Sequence, residues 1–303
     1  YWRDWSSDVC SSDLPRDTAE TARVMRVLAR HGVPIVPRGA GTGLSGGATP
    51  VSGGVTIGTA RMRAVLAIDA LERTAHVQAG VVNADLSRAT APHGLFYAPD
   101  PSSQAACTLG GNVANNSGGP HCLLHGNTSR HVRGLVLVDA SGEVIDLMPT
   151  GPDPEGLDLV GVTVGSEGMF GVVTEVLLNL QPLPETVETV LAVFPTLDAA
   201  CDCVTDAIAA RLEPSAIEIL DRLTIEAVEA SVLAAGYPPG TEAVLLIEVD
   251  GSDEECEANL EGIEAILRRR GAFDLRRAVD DRERKDRKST RLNSSHAHIS
   301  YAV

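Results

Sequence analysis

Hydrophobic residues before position 182 occur mostly in short runs separated by turn residues, which predicts many strands and few helices. Asp17 and Glu20 form a capping box for a helix that Gly32 ends, and Asn83 is the predicted cap of a helix that runs to Gly94. Short strands with few helices are typical of an α+β domain. The predicted strands are 33–37, 55–59, 65–69, 74–80, 135–139, 143–147 and 171–180.

The pattern changes at the proline-rich residues 182–185, which predict a domain boundary. Beyond it, strands and helices alternate, and Ser252 with Glu255 forms a capping box for the last helix. This alternation predicts a sheet covered by helices, close to a ferredoxin-like layer. The predicted strands are 188–194, 216–221 and 242–250, and the predicted helices are 197–211, 222–235 and 252–270.

The two ends of the chain differ from the rest. Residues 1–14 and 282–303 have neither an apolar period nor a helix cap, and both resemble translated sequencing-adapter sequence. We expect them to be foreign to the fold or disordered. The predicted domains are therefore 15–182 and 183–281.

A glycine-rich loop follows the strand predicted at residues 33–37, with five glycines in the nine residues 39–47. Backbone N–H groups can converge in such a loop, so it predicts an anion cradle beside Arg38. Gly41, Gly43 and Gly46 also satisfy G-x-G-x-x-G, the fingerprint of nicotinamide-dependent Rossmann enzymes. That fingerprint opens a helix, whereas a strand is predicted here. A glycine-rich turn without a ligand is the other alternative.

Three further segments are candidates for ligand contact. Residues 99–103 form a turn that two prolines make rigid. Residues 108–120 combine glycines with asparagines, whose amides offer donors and acceptors to a flat ligand, and we predict a long loop there. Gly165, Gly168 and Gly171 recur at every third position before the last strand of the first domain.

Composition narrows the classes of partner. With 25 basic and 41 acidic residues the formal charge is −16, so we expect no nucleic-acid partner. No apolar run approaches the length of about 18 residues that a transmembrane helix needs, so we expect no direct membrane insertion. The six cysteines are scattered and show no disulfide framework, which favours a reducing, cytoplasmic compartment.

Residues 15–280 resemble the vanillyl-alcohol-oxidase (PCMH-type) family of FAD-binding flavoproteins. Within it they are most similar to the glycolate oxidase D subunit and the D-lactate and D-2-hydroxyglutarate dehydrogenases. Four motifs in the family's order carry the resemblance: RGAGTGLSGG at 38–47, DPSS at 100–103, GGNVANNSGG at 110–119 and GSEGMFGVVT at 165–174. The implied fold is α+β, with a two-subdomain PCMH-type FAD-binding domain followed by a ferredoxin-like α/β cap domain that is incomplete at the C terminus.

The resemblance implies that FAD lies on these motifs. Its diphosphate would lie on residues 38–47, and its isoalloxazine ring against residues 112–118 and 165–173. The first loop has no histidine for covalent attachment, so we expect non-covalent FAD. The implied FAD contacts are Arg38, Gly39, Gly41, Thr42, Gly43, Ser45, Gly46, Gly47, Pro99, Asp100, Ser102, Ser103, Thr108, Gly110, Gly111, Asn112, Asn115, Asn116, Ser117, Gly118, Gly165, Glu167, Gly168, Gly171, Val172 and Val173.

The implied reaction is oxidation of a D-2-hydroxy acid, such as glycolate or D-lactate, to the 2-oxo acid by hydride transfer to flavin N5. The catalytic and metal-binding residues of that branch lie late in the cap, after the matching part, so no catalytic residue is assigned. The alternative is an FAD-binding module without turnover. An iron–sulfur partner subunit or a quinone is the implied electron acceptor.

Cysteine and histidine are densest at Cys107, His121, Cys122, His125 and His131. Their spacing matches no pair of zinc ligands, so we predict no metal site. Because His121 and Cys122 directly follow the asparagine-rich motif, contact near the flavin is one interpretation, and plain packing is the other. In the last glycine motif, we interpret the acidic Glu167 as ordering backbone amides rather than as a catalytic acid.

Overall fold

The computed structural model describes residues 11–50, 53–149, 156–230 and 234–278. The chain divides into two compact units. The first comprises residues 1–119 and 126–183, and the second comprises residues 120–125 and 184–303. Residues 1–10 and 282–303, which the sequence sets apart, lie outside the described residues.

The described strands of the first unit form three sheets. A parallel sheet has the order β1-β3-β2, an antiparallel sheet has the order β4-β5-β9-β7-β8, and β6 pairs with β10. The strands in chain order are β1 (Ser11–Asp13), β2 (Ile35–Arg38), β3 (Val55–Gly58), β4 (Val65–Asp69), β5 (Thr74–Gln78), β6 (Leu95–Phe96), β7 (Val132–Val138), β8 (Val144–Asp146), β9 (Val172–Asn179) and β10 (Gln181–Pro182). Strand β1 falls within residues 1–14, yet it pairs with β3 from Ser11↔Val55 to Asp13↔Ile57.

Among the described residues, five α-helices lie before the division between the units at residues 183 and 184. Helix α4 belongs to the second unit and the others belong to the first. The ranges are α1 (Thr18–Arg30), α2 (Asn83–Thr90), α3 (Leu109–Asn115), α4 (Cys122–His125) and α5 (Leu159–Thr163). In the core of the first unit, Leu86 of α2 and Leu109 of α3 pack with Leu135 and Val176 of the five-stranded sheet.

The predicted start of α1 is confirmed. Asp17 caps it by accepting a 2.7 Å hydrogen bond from the backbone N–H of Glu20, and Gly32 follows its end with a φ of +63°. The predicted cap of α2 is wrong, because Val82 holds the cap position and makes no side-chain hydrogen bond there. Asn83 is instead a buried helical residue whose Nδ2 donates to the carbonyl of Pro99 at 2.8 Å. That buried carbonyl needs a partner, and the side-chain amide provides it.

The second unit has the predicted ferredoxin-like layer. Its antiparallel sheet has the order β12-β13-β11-β14, with α6 and α8 packed on one face and α7 on the other. The elements are β11 (Thr186–Phe194), α6 (Leu197–Ala209), β12 (Ala216–Asp221), α7 (Arg222–Glu229), β13 (Ala243–Gly251), α8 (Asp253–Arg269) and β14 (Asp274–Arg277). The predicted α+β fold class is therefore confirmed.

The predicted start of α8 and the predicted end of α7 can be compared with the structure. The predicted capping box of α8 is confirmed, since Ser252 and Glu255 exchange the side-chain and backbone hydrogen bonds of that motif. Helix α7 ends at Glu229 rather than near residue 235, and residues 231–233 lie outside the described part. Among the described residues, we find no helix with the length and apolarity needed to cross a membrane.

Candidate functional site

Four separate segments of the first unit line one cleft of about 380 Å³, a volume within the range of small-molecule sites. They are the loop after β2, the turn that precedes α3, α3 with the residues that follow it, and the loop before β9. The predicted contact residues that line the cleft are Arg38, Gly39, Gly41, Thr42, Gly43, Ser45, Gly47, Ser103, Thr108, Gly110, Gly111, Asn112, Asn115, Ser117, Gly118, Glu167, Gly168, Gly171, Val172 and Val173.

Other predicted contact residues do not line the cleft. The carbonyl of Pro99 accepts the Asn83 hydrogen bond, and Asn116 Oδ1 accepts a 2.8 Å bond from the backbone N–H of Ser129. The backbone of Pro99 is therefore held by a side chain, and the side chain of Asn116 supports the backbone at Ser129. The predicted residues outside the lining are Gly46, Pro99, Asp100, Ser102, Asn116 and Gly165, and the unpredicted lining residues are Pro37, Ala40, Leu44, Ala48, Thr59, Pro101, Cys107, Ala114 and Ser166.

The first loop depends on two glycines for close contacts. A Cβ at Gly41, whose φ is +73°, would lie 2.7 Å from Nη2 of Arg38, so the guanidinium lies against the loop backbone. A Cβ at Gly39 would lie 2.3 Å from Oγ1 of Thr108. Glycine at these positions therefore lets the arginine pack on the loop and lets the loop approach the start of α3.

The structure corrects the loop predicted at residues 108–120, because residues 109–115 form helix α3. Thr108 caps this helix, its Oγ1 accepting a 3.3 Å hydrogen bond from the backbone N–H of Gly111. Two adjacent glycines have low helix propensity, but close packing requires the first of them. Gly110 donates its N–H to the carbonyl of Ala79 at 2.8 Å, and a Cβ there would lie 2.8 Å from the Cβ of Ala79.

The last glycine motif lies against the C-terminal end of α3. The backbone N–H groups of Gly165 and Glu167 donate to the carbonyls of Val113 and Ala114, each at 2.8 Å. These bonds fix the motif to carbonyl groups near the C-terminal end of the helix. Gly171 has a φ of +146°, and a Cβ there would lie 2.2 Å from the carbonyl oxygen of Val138.

The charged residues that line the cleft are Arg38 and Glu167. Glu167 has a φ of +53° and an exposed side chain, and its carboxylate makes no hydrogen bond among the described residues. The interpretation that this carboxylate orders backbone amides therefore has no support in the described contacts. Arg38 and the glycine loop form an environment suited to an anionic group.

Uncharged polar groups are buried behind the asparagine-rich segment. Asn112 is 1% exposed and neighbours the Tyr97 hydroxyl and the Cys107 thiol, but its amide atoms make no hydrogen bond with ideal geometry to a described residue. Burial raises the pKa of both Tyr97 and Cys107, so both remain neutral at pH 7. Asn112 thus offers a donor and an acceptor from an uncharged wall.

The histidines near the asparagine-rich segment have different partners. His121 and His125 belong to the second unit, where they pair with Glu248 and Asp250 at 3.0 and 3.5 Å. His131 is buried in the first unit, where its ring meets the ring of Tyr97 edge-on at 5.9 Å between centroids. Within the described residues, no group of three or more histidine, cysteine, aspartate or glutamate side chains is arranged to hold a metal ion.

Comparison with known proteins gives two family matches. Residues 13–148 match the family described as FAD binding domain, and residues 183–299 match the C-terminal domain of FAD linked oxidases. The second match extends into residues 282–303, which the sequence analysis sets apart.

The chain is also similar to curated enzymes. It is 44% identical over 271 residues to glycolate oxidase subunit GlcD of Escherichia coli (strain K12), covering 89% of this chain and 54% of that protein. It is 43% identical over 273 residues to GlcD of Bacillus subtilis (strain 168), of which it covers 57%. It is 33% identical over 265 residues to D-lactate dehydrogenase of Anaerostipes hadrus, covering 85% of this chain and 56% of that enzyme. The chain thus spans about half the length of the curated relatives it matches.

A solved structure of alkyldihydroxyacetonephosphate synthase shares the fold. The two superpose with a TM-score of 0.80 at 23% identity, over 92% of this chain and 54% of the other. At this level of identity the likeness concerns the fold alone.

Proposed function

We propose that this chain, which belongs to the FAD-linked oxidases by its FAD-binding domain and its FAD-linked oxidase C-terminal domain, oxidises a D-2-hydroxy acid, such as glycolate or D-lactate, to the 2-oxo acid. The observation that carries this proposal is the convergence of all four motif segments on one cleft. The names of the relatives, glycolate oxidase subunit GlcD and D-lactate dehydrogenase, support the substrate class.

FAD is the cofactor of this family, and the residues of the cleft fit its chemistry. Arg38 and the N–H groups of the glycine loop suit the diphosphate, because a guanidinium and converging amides bind phosphate oxygens. Asn112 offers a donor and an acceptor, which matches the alternating groups on the pyrimidine edge of a flavin. We propose that the FAD is dissociable, since residues 38–47 include no histidine.

When bound, FAD supplies the acceptor for the hydride that leaves the α-carbon of the substrate. The chain's own residues bind and orient the cofactor. Glycines 39, 41, 110 and 171 permit the close backbone approaches that shape the cleft. The neutral Tyr97 and Cys107 keep charge away from the wall beside Asn112.

The proposal also covers the electron acceptor and the cellular compartment. We propose that electrons pass to an iron–sulfur partner subunit or a quinone. We place the enzyme in the cytoplasm because the six cysteines of the sequence are scattered and show no disulfide framework, as is typical of a reducing compartment.

An anaerobic absorbance experiment tests the proposed function. The chain is loaded with FAD, separated from free cofactor, and mixed in turn with glycolate, D-lactate and D-2-hydroxyglutarate. Bleaching of the flavin band by one of these acids supports the proposal and identifies the substrate. A yellow protein that none of them bleaches would indicate an FAD-binding module without turnover, and a folded, colourless protein would contradict the cofactor assignment.

A further inference from the structure

Thr59 is a buried residue of the cleft that the sequence motifs do not include. It follows β3 directly and is 5% exposed. Its hydroxyl is buried and has no hydrogen-bond partner among the described residues. A buried hydroxyl without a partner is unfavourable, so this group requires an explanation.

The backbone of Thr59 is fixed on three sides. Its N–H donates to the carbonyl of Arg38 at 3.0 Å, and its carbonyl accepts the N–H of Met62 at 2.9 Å. Gly80 packs against the same carbonyl so closely that a Cβ there would lie 2.0 Å from the oxygen. The backbone therefore cannot shift to bring the hydroxyl to another protein partner without breaking these contacts.

Two other buried threonines of the first unit have partners for their hydroxyls. Thr90 donates to the carbonyl of Leu86 at 3.1 Å, and Thr128 donates to the carbonyl of Ser117 at 2.7 Å. Each of these two hydroxyls therefore has an internal acceptor. Thr59 differs from these two in lining the cleft, so a ligand bound there is the candidate partner for its hydroxyl.

We propose that the Thr59 hydroxyl hydrogen-bonds bound FAD at its oxygen-rich ribityl-diphosphate section, an inference that rests on the proposed function. The backbone bond to Arg38 places Thr59 beside the start of the glycine loop, where the diphosphate is expected. A hydroxyl can donate to a phosphate oxygen, and it can both donate to and accept from a ribityl hydroxyl.

The test compares three variants in FAD titrations of the apoprotein followed by flavin fluorescence. Thr59→Val keeps the shape of the side chain and removes the hydroxyl, and Thr59→Ser keeps the hydroxyl. Thr90→Val is the control, because it removes a buried hydroxyl that has protein partners. We expect Thr59→Val to bind FAD about tenfold or more weakly, and the other two variants to bind within about threefold of the wild type.

Thermal unfolding of the apoproteins gives an independent readout. Thr59→Val loses no protein hydrogen bond, so its midpoint should equal or exceed that of the wild type, whereas Thr90→Val should melt lower. A second titration with riboflavin locates the contact. Weakening for both ligands indicates the ribityl chain, and weakening for FAD alone indicates the diphosphate.

The outcomes separate this inference from the proposed function. Unchanged FAD affinity in a folded Thr59→Val protein would overturn the inference while leaving the function intact. A wild-type protein that binds no FAD would overturn the proposed function itself, and the inference with it.

Discussion

The imidazole Nε2 of His121 lies 3.0 Å from Oε2 of Glu248, although 127 residues separate the two along the chain. Glu248 is buried in β13, and its other carboxylate oxygen accepts a 3.2 Å hydrogen bond from the hydroxyl of Thr189. Both members of the pair belong to the second unit, whereas Gly119 and Gly126, on either side of residues 120–125, belong to the first. The pair therefore helps to hold residues 120–125 in the second unit.

We expect His121→Ala to lower the free energy of unfolding by about 3 kcal/mol, because it removes the imidazole that faces a buried carboxylate. A double variant, His121→Ala with Glu248→Gln, should recover part of this loss since the neutral amide is less costly to bury. Circular dichroism in a urea series measures both. His93→Ala is the control, because His93 is exposed. A His121→Ala protein as stable as the control would show that the pair contributes nothing.

Local patterns in the sequence were sufficient to predict some elements. The Asp17 cap of α1 and the Ser252–Glu255 capping box of α8 are confirmed because each depends on residues three positions apart. The alternation after residue 185 likewise predicted the ferredoxin-like sheet, since each strand and helix carries its own periodicity.

Contacts between distant residues could not be predicted in this way. Helix α3 was predicted as a loop because Gly110 and Gly111 disfavour helix locally, whereas the contact of Gly110 with Ala79 determines the outcome. The pairing of His121 with Glu248 has no local signature. Thr59 lies in no motif, and only the fold shows that its hydroxyl is buried at the cleft.

A matched pair of glycine variants tests the geometry of the first loop. At Gly39 a Cβ would lie 2.3 Å from Oγ1 of Thr108, the cap of α3, so Gly39→Ala must displace either the loop or the cap. At Gly43 the nearest atom to a Cβ is Oδ1 of Asn115 at 3.9 Å, an ordinary contact. We expect Gly39→Ala to weaken FAD binding at least tenfold, corresponding to about 1–3 kcal/mol of strain, and Gly43→Ala to bind nearly normally.

Equilibrium titration with FAD measures both glycine variants. Circular dichroism should confirm that each is folded before affinities are compared. Equal affinities for Gly39→Ala and Gly43→Ala would contradict the assignment of FAD to this loop.

Cys201 and Cys203 both lie on α6, but Cys201 is exposed and Cys203 is buried. The reactivity of their thiols should therefore differ. Burial raises the pKa of Cys203 to about 11, with Asp206 and Asp202 acting in the same direction and Arg270 opposing them. Because the thiolate is the reactive form, we expect Cys203 to be alkylated much more slowly than the exposed Cys201 at pH 8. Peptide mass spectrometry after timed iodoacetamide treatment measures the two rates. Comparable rates in the folded protein would contradict this prediction, and denaturation should make them similar.

An ion-pair cluster joins α6 to the end of α8. Asp206 accepts hydrogen bonds from Arg270 at 2.8 and 2.9 Å and from Arg269 at 2.9 Å. These bonds, from Arg270 first and then Arg269, lower the pKa of Asp206 to about 2. Asp202 contacts Arg270 once, at 3.0 Å, and its side chain is more exposed.

The lowered pKa of Asp206 determines how the stability of the protein changes with pH. In the unfolded chain this carboxyl has its ordinary pKa of about 3.9. The stabilisation that the ionised Asp206 carboxylate provides is therefore complete above that pH and is lost as the pH falls toward 2. We expect Asp206→Asn to melt below the wild type at pH 7, with a difference that shrinks steadily between pH 4 and pH 2.5. Asp202→Asn, the matched control with a single hydrogen bond, should show a smaller difference at pH 7. A melting difference for Asp206→Asn that stays constant over this pH range would mean that the pairing with Arg270 and Arg269 does not stabilise the ionised carboxylate.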